Sequence, residues 1–282
     1  MIKEPKSNNE TISVIMSVYN CAETVSEAIE SILNQTYSDI QFIICNDCST
    51  DNTAEIVKDY AKKDSRIVFI ENEKNMRLPY SLNHCLKYVS GKYVARMDGD
   101  DISKPERFEK ELEYIKSHPE YNLVGCAMQR FSNEGLADIV YAVDSPDYYT
   151  LKNRIPFHHA TILTYKTVYD RLGGYTVSER TARCEDYDLW FRFYSAGFNG
   201  NSLKEPLYLV REDAQAIRRR TFKTRWNAFK TTKVGFDLLN YPKTWLIKPA
   251  LKMIFKSLVP FKAIEFYRRW QSKRKKSQGV NQ

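Results

Sequence analysis

The sequence lacks the marks of several large protein classes. No run approaches the roughly 18 uncharged apolar residues that a membrane-spanning helix requires. The opening residues, MIKEPKSNNE, carry no apolar stretch of the secretory kind, so a cytoplasmic chain with reduced thiols is expected. Glycine and proline are scarce, ten of each in 282 residues, which excludes collagen-like and low-complexity chains. The first apolar run leads into Tyr19-Asn20-Cys21-Ala22-Glu23 with no glycine-rich turn for a pyrophosphate, so a nicotinamide dehydrogenase is poorly supported. Cys45 and Cys48 have the spacing of half a zinc or redox site, yet no second pair and no His-x-His supplies the other ligands. Small apolar fillers at a strand end is the plainer reading.

What remains is an ordinary globular composition, 43% hydrophobic and 28% charged, with an unusual distribution of charge. The net of +8 is not spread evenly. From Arg211 to Gln282 there are 19 basic and 4 acidic residues, while residues 1–210 hold 24 basic and 31 acidic. An acidic body carries a basic tail. The expected organisation is a short arm over residues 1–10, one domain over 11–220, and a basic helical extension over 221–282.

Apolar, β-rich runs at Ile12 to Val18, Ile40 to Cys45, Arg66 to Ile70 and Lys92 to Met97 alternate with helical periodicity. The helices carry Val25, Ala28, Ile29 and Ile32, then Val57, Tyr60 and Ala61, then Leu78 to Val89. That alternation predicts an α/β domain with a parallel sheet and right-handed crossovers. Ser103 and Pro105 are expected to open a helix with Phe108, Leu112 and Ile115 inward and a Glu/Lys outer face. A strand-rich stretch from Tyr121 to about Thr164 follows, and Glu185 to Ala196 is again helical.

Ligands of such sheets gather outside the carboxyl ends of the strands. There the sequence places Tyr19-Asn20, Asn46-Asp47 and Asp98-Gly99-Asp100-Asp101. Several carboxylates kept ionised side by side call for a cation, and oxygen donors favour Mg²⁺ or Mn²⁺ bound together with a substrate diphosphate. The bland alternative is a solvated turn in which Asp101 or Ser103 caps the next helix. Glu185-Asp186 opens a helix, where the dipole favours an ionised carboxylate with or without a catalytic task.

Taken in order, these positions resemble the family 2 glycosyltransferases, inverting enzymes of the GT-A fold that use nucleotide-sugars. The resemblance covers roughly Thr11 to Arg220. It rests on Val18-Tyr19-Asn20, Asn46-Asp47-Cys48-Ser49-Thr50-Asp51, Asp98-Gly99-Asp100 and Glu185-Asp186-Tyr187-Asp188-Leu189-Trp190. Ser81 to Leu86, Ala95-Arg96, Arg192-Phe193 and Val210 to Asp213 are similar to the exopolysaccharide enzymes of that family. The resemblance implies a Rossmann-like, mostly parallel central sheet flanked by helices. Tyr19 would stack on the nucleotide base, Asp47 would accept from the base, Asp98 would approach the ribose or sugar, and Asp100 would bind Mn²⁺ or Mg²⁺. Asp186 would be the general base. The donor is expected to be a UDP-sugar and the acceptor a lipid-linked saccharide, with other polysaccharide-synthesis proteins as further partners.

Weaker candidates are Arg77 for the base or phosphates, His159 and Glu185 for the diphosphate or acceptor, and Arg211 for a phosphate or for Glu185. Each has a structural alternative. Asn46 replaces a frequent Asp, Ser17 a frequent Pro, and Cys48 the usual Gly, so a differently shaped turn is expected. Gln215-Ala216-Ile217-Arg218-Arg219 has Arg219 where processive members carry Trp, which favours addition of a single sugar.

Within the tail, Lys248, Lys252 and Lys256 recur every four residues among Trp245, Ile247, Leu251, Ile254 and Phe255, and Lys273-Arg274-Lys275-Lys276 follows. This suits an anionic membrane surface on the inner face of the cell membrane. A helix packed on the body is the alternative; nucleic acid is not expected, since no binding module accompanies the charge. A fold of this kind serving mainly as a protein-binding module is the other functional class left open.

Overall fold

The structure, a computed structural model, describes residues 10–212 and 221–258, with side chains to residue 255. The residues before Glu10, the Gln215 to Arg219 stretch and the Lys273 to Lys276 cluster lie outside the described residues. The chain forms two compact units, one from residues 10–177 and 185–212, the other from residues 178–184 and 221–258.

The first unit begins with the expected alternation: β1 (Ile12–Val18), α1 (Val25–Leu33), β2 (Ile40–Asn46), α2 (Thr53–Lys63), β3 (Ile67–Glu71), α3 (Leu78–Leu86) and β4 (Tyr93–Asp98). Ile12, Val14, Ile15 and Met16 are wholly buried, as a strand covered on both faces requires. Strands β2, β1 and β4 run parallel, with Val18 opposite Asn46 and Ser17 opposite Asp98. Then come β5 (Ile102–Ser103), α4 (Arg107–Ser117), β6 (Leu123–Ser132), β7 (Gly135–Val140), β8 (Leu163–Tyr165), α5 (Lys166–Leu172), α6 (Glu185–Ser195) and β9 (Gly200–Arg211). The sheet order is β3-β2-β1-β4-β8-β6-β9-β5, with β7 paired to β6.

The parallel expectation holds for residues 12–98 and gives way beyond them. Strand β8 is antiparallel to both β4 and β6, β5 is antiparallel to β9, and only β6 and β9 run parallel in this half. The two-residue connection between β6 and β7 cannot carry a crossover, so that pair is antiparallel too. The order 3-2-1-4 reverses direction between β1 and β4, and that reversal opens a crevice at their carboxyl ends.

Helix α4 turns Phe108, Leu112 and Ile115 inward and Glu109, Glu113 and Lys116 outward, as expected, and departs from the pattern at Arg107 and Glu111. It begins at Arg107, Ser103 belongs to β5, and Arg107 and Glu111 are both fully buried as an ion pair at 3.2 Å. Their side chains fall one turn apart on the inner face, where Arg107 also donates to the Arg96 carbonyl (3.2 Å) and lies over the Tyr208 ring. Burial pushes the Glu111 carboxyl up to about 7, against the pull of Arg107.

The second unit holds α7 (Phe222–Leu238), a 3-10 turn (Lys243–Leu246) and α8 (Ile247–Leu258). Asn227 and Thr231 of α7 donate to the carbonyls of Glu179 and Arg180, at 2.7 and 2.8 Å.

Candidate active site

The loops after β1 and β2 are laced together by short polar side chains. Asn20, at φ 51°, accepts from the Thr50 amide at 2.8 Å, and its own amide donates to Ser49 Oγ. Asp51 accepts from the Ala22 amide, the Thr53 amide and the Thr53 hydroxyl. Burial raises this carboxyl and those hydrogen bonds more than reverse the effect, holding it below its ordinary value. Cys48 itself takes the left-handed conformation, φ 60°, that a glycine adopts freely. The left-handed turn is therefore present without the glycine, at a strain of about 1 kcal/mol. Tyr19 stands at the end of β1 with 48% of its surface exposed, a ring available for stacking.

Asp47 is engaged differently from the expectation that it meets the base. It is 2% exposed. Oδ1 accepts from Asn72 Nδ2 and from the Met76 amide, and Oδ2 accepts from the Arg77 amide, each at 2.8 Å. The carboxylate thus ties the segment between β3 and α3 to the end of β2. Arg77 caps α3 at φ 69°, ψ 163°, backbone that only glycine adopts without strain, and its side chain points outward exposed. Asp47 is the anchor that holds it there.

At the end of β4, Asp98 accepts from Arg96 Nη2 at 2.6 Å while 29% of its side chain stays exposed. Its amide donates to the Tyr208 hydroxyl at 3.2 Å. Gly99 passes directly beneath the β1 turn, where an added Cβ would stand 2.9 Å from Val18 Cγ1. Asp100 emerges exposed beyond it. Asp101 turns inward to accept from the Arg211 amide at 2.8 Å, and burial raises its carboxyl well above the usual range. Asp101 thus faces β9 as a buried acceptor and does not cap α4.

Arg211 does not meet Glu185. Its guanidinium pairs with Glu27 of α1, donates from Nε to the Asp100 carbonyl at 2.9 Å and lies over the Phe131 ring. That contact fixes the backbone between Asp98 and Asp101. His159 is likewise a structural group, with Nε2 2.8 Å from the Tyr175 hydroxyl and its ring edge-on to Trp190. Burial and then the Arg96 charge hold it well below the usual imidazole value. Gly173 ends α5 in the left-handed region, and Gly174 makes room for Asn83, which clamps Tyr175 at both its amide and its carbonyl.

Glu185 and Asp186 form the first turn of α6. Burial, then the charge of Asp186, pushes Glu185 up to about 7, with Arg96 opposing and Asp98 adding to the rise. Asp186 is also raised by burial, against the Tyr187 amide that donates to it at 2.7 Å. The rest of the motif holds the helix in place: Asp188 accepts from Thr176 and Arg192, and Arg192 reaches the carbonyls of Leu172 and Gly174.

Arg96 is the residue without an expected role that the structure makes central. It is 4% exposed, pairs with Asp98, and its field reaches Asp186, Glu185 and His159. Burial disfavours its charge, and the Asp98 carboxylate together with Tyr175, Tyr208 and Glu185 more than restores it. The signal was a lone cation inside the apolar run Tyr93 to Met97, since a buried charge requires a partner.

Among the described residues no group of three or more His, Cys, Asp or Glu surrounds a metal-sized point, Cys45 and Cys48 included, and all six cysteines are free thiols. Asp98 and Asp100 offer two oxygen-donor carboxylates two residues apart in the chain. That donor set fits Mg²⁺ or Mn²⁺, which take one or two carboxylates and fill their remaining positions with water and substrate phosphate.

Comparisons with known proteins bear on the family and the fold. The chain is 45% identical over 212 residues to EpsE of Bacillus subtilis (strain 168), named as a glycosyltransferase, covering 75% of this chain and 76% of that protein. It is 28% identical over 214 residues to WfaP of Escherichia coli, named UDP-Glc:alpha-D-GlcNAc-diphosphoundecaprenol beta-1,3-glucosyltransferase, covering 76% of this chain and 82% of WfaP. Among solved structures it is similar to S. aureus TarS 1–349 in complex with UDP, with a TM-score of 0.64 and 18% identity, covering 80% of this chain and 65% of that one. It is also similar to the mannosyltransferase PcManGT of Pyrobaculum calidifontis in complex with GDP-Man and Mn²⁺, with a TM-score of 0.59 and 18% identity, covering 93% and 80%. The fold is therefore of the GT-A type, a curled mixed sheet flanked by helices. The sequence profile of glycosyl transferase family 2 matches residues 13–182, and the chain belongs to that family.

Proposed function

We propose that the protein is an inverting, metal-dependent glycosyltransferase that moves a sugar from a UDP-sugar to a lipid-linked saccharide during synthesis of an exopolysaccharide, capsule or similar surface polymer, working at the inner face of the cell membrane. The observation that carries this reading is that exposed Tyr19 and Asp100 and half-buried Asp98 stand at the carboxyl ends of β1 and β4. The name of WfaP supports both the UDP donor and the lipid diphosphate acceptor.

In this reading Tyr19 stacks on the base and the exposed Arg77 side chain meets the base or phosphates. Asp47 acts on the nucleotide indirectly, by holding the Met76 and Arg77 amides in position. Asp98 orients the ribose or sugar, and Asp100 with Asp98 would hold Mn²⁺ or Mg²⁺. When bound, the ion neutralises charge on the leaving diphosphate. Asp186 takes the proton from the acceptor hydroxyl as that oxygen attacks the anomeric carbon, and the bond to the diphosphate breaks on the opposite face. Burial makes Asp186 a stronger base than a solvated aspartate. Calorimetry with UDP and Mn²⁺, followed by a screen of nucleotide-sugars for released diphosphate, tests the reading. Absence of both heat and thermal protection would sink it.

A further inference from the structure

Helix α8 is held firmly at one end and presents an apolar face at the other. Its entry is an aromatic elbow: Phe236 of α7 packs edge-on to Tyr241, Tyr241 packs on Trp245, and the Tyr241 amide donates to the Phe236 carbonyl at 2.9 Å. Phe236 and Tyr241 are buried. Beyond the elbow, Ile247, Leu251, Ile254 and Phe255 are 59%, 61%, 50% and 70% exposed. Their spacing of four, seven and eight residues puts them on one stripe of the helix. Pro249, Ala250 and Met253 make up the more covered side. Four large apolar side chains exposed along one stripe mark an interaction surface.

Charge identifies what it meets. Lys248 and Lys252 are exposed along one flank of the stripe, and the chain from Pro242 to Ile264 contains five lysines and no acidic residue. A second copy seated on this face would bring the lysines of both copies together. An anionic lipid surface takes the stripe and the lysines at once, the apolar side chains entering the acyl boundary while the ammonium groups stay among the headgroups. Twelve residues make a helix of about 18 Å, too short to cross the roughly 30 Å of hydrocarbon, so it lies in the surface. We infer that α8, through Ile247, Leu251, Ile254 and Phe255 with Lys248 and Lys252 beside them, is an in-plane anchor for an anionic bilayer. This deepens the reading above, in which the acceptor is lipid-linked.

The test is co-sedimentation of the full chain with phosphatidylcholine vesicles and with vesicles that also contain phosphatidylglycerol. The wild type is expected to partition onto the anionic vesicles and weakly onto the neutral ones. Leu251→Gln with Phe255→Gln is expected to reduce that partition by at least about tenfold, and Lys248→Gln with Lys252→Gln by about tenfold on anionic vesicles only. Melting temperature and the UDP·Mn²⁺ isotherm should be unchanged in both double variants, so a failure of vesicle binding is separable from a failure of the nucleotide reading. Equal partition of wild type and the Leu251/Phe255 variant overturns the inference. So does equal binding to both kinds of vesicle, or a concentration-dependent dimer that this variant abolishes while vesicles bind nothing.

Discussion

The turns that follow β2 and β4 look alike as sequence: each ends a buried parallel strand and each is rich in aspartate. The structure uses them in opposite ways. Asp47 is 2% exposed and takes three hydrogen bonds, and Asp51 takes three more, so this turn's carboxylates hold loops together. After β4, Asp98 keeps an exposed edge and Asp100 stands outside, steadied through the backbone by Arg211. The coverage of each carboxylate separates those that hold loops together from those left open to solvent.

The contrast is sharpest where a carboxylate does chemistry. Asp186→Asn should lower transfer by about 10²–10⁴-fold with the UDP·Mn²⁺ isotherm retained; loss of both together would make Asp186 another structural carboxylate. Asp47→Ala should cost about 2–4 kcal/mol of stability in urea unfolding, because three donors lose a buried acceptor at once. Asp100→Asn should leave unfolding within about 0.5 kcal/mol of wild type, while Mn²⁺-dependent affinity for UDP falls by about tenfold. If instead Asp47→Ala is benign and Asp100→Asn unfolds the protein, the division between the turns is wrong.

A smaller effect follows from Glu185 and Glu111, both pushed up to about 7 from 4.5. The folded chain then holds protons that the unfolded chain has released, so stability falls as pH rises from about 4.5 to 7. The slope is at most ~1.4 kcal/mol per pH unit for each full proton, and solvent at the partly exposed Glu185 reduces its share. Unfolding at pH 5, 6 and 7 should show this decline, shallower in Glu185→Gln. Smallest of all, Cys48→Gly should stabilise by up to about 1 kcal/mol by removing the strain at φ 60°. A loss would show that the Cys48 side chain contributes packing that outweighs it.

Much of this was legible in the chain itself. The runs at Ile12 and Ile40 carry their own strand periodicity and their own burial, so β1 and β2 appear where the pattern put them. Glu111 escapes the pattern because with Arg107, one turn away, it looks in sequence like any solvated pair in a helix. The antiparallel half was hidden because β8 is three residues long and owes its pairing to neighbours far away in sequence. Asp47 and Asp98 could not be told apart by type or by position at a strand end.

Local order and composition alone determined the alternating first half, the three acidic or aromatic strand ends, and the separation of an acidic body from a basic tail. These depend on neighbours in sequence, which periodicity and charge record directly. The tertiary structure alone decided which acids are buried as acceptors and which stand open to solvent, that Arg211 meets Glu27, that Arg96 is buried against Asp98, and that the apolar stripe of α8 is exposed. Hydrogen bonding and desolvation are set by atoms brought together from distant parts of the chain, and only the fold supplies that proximity.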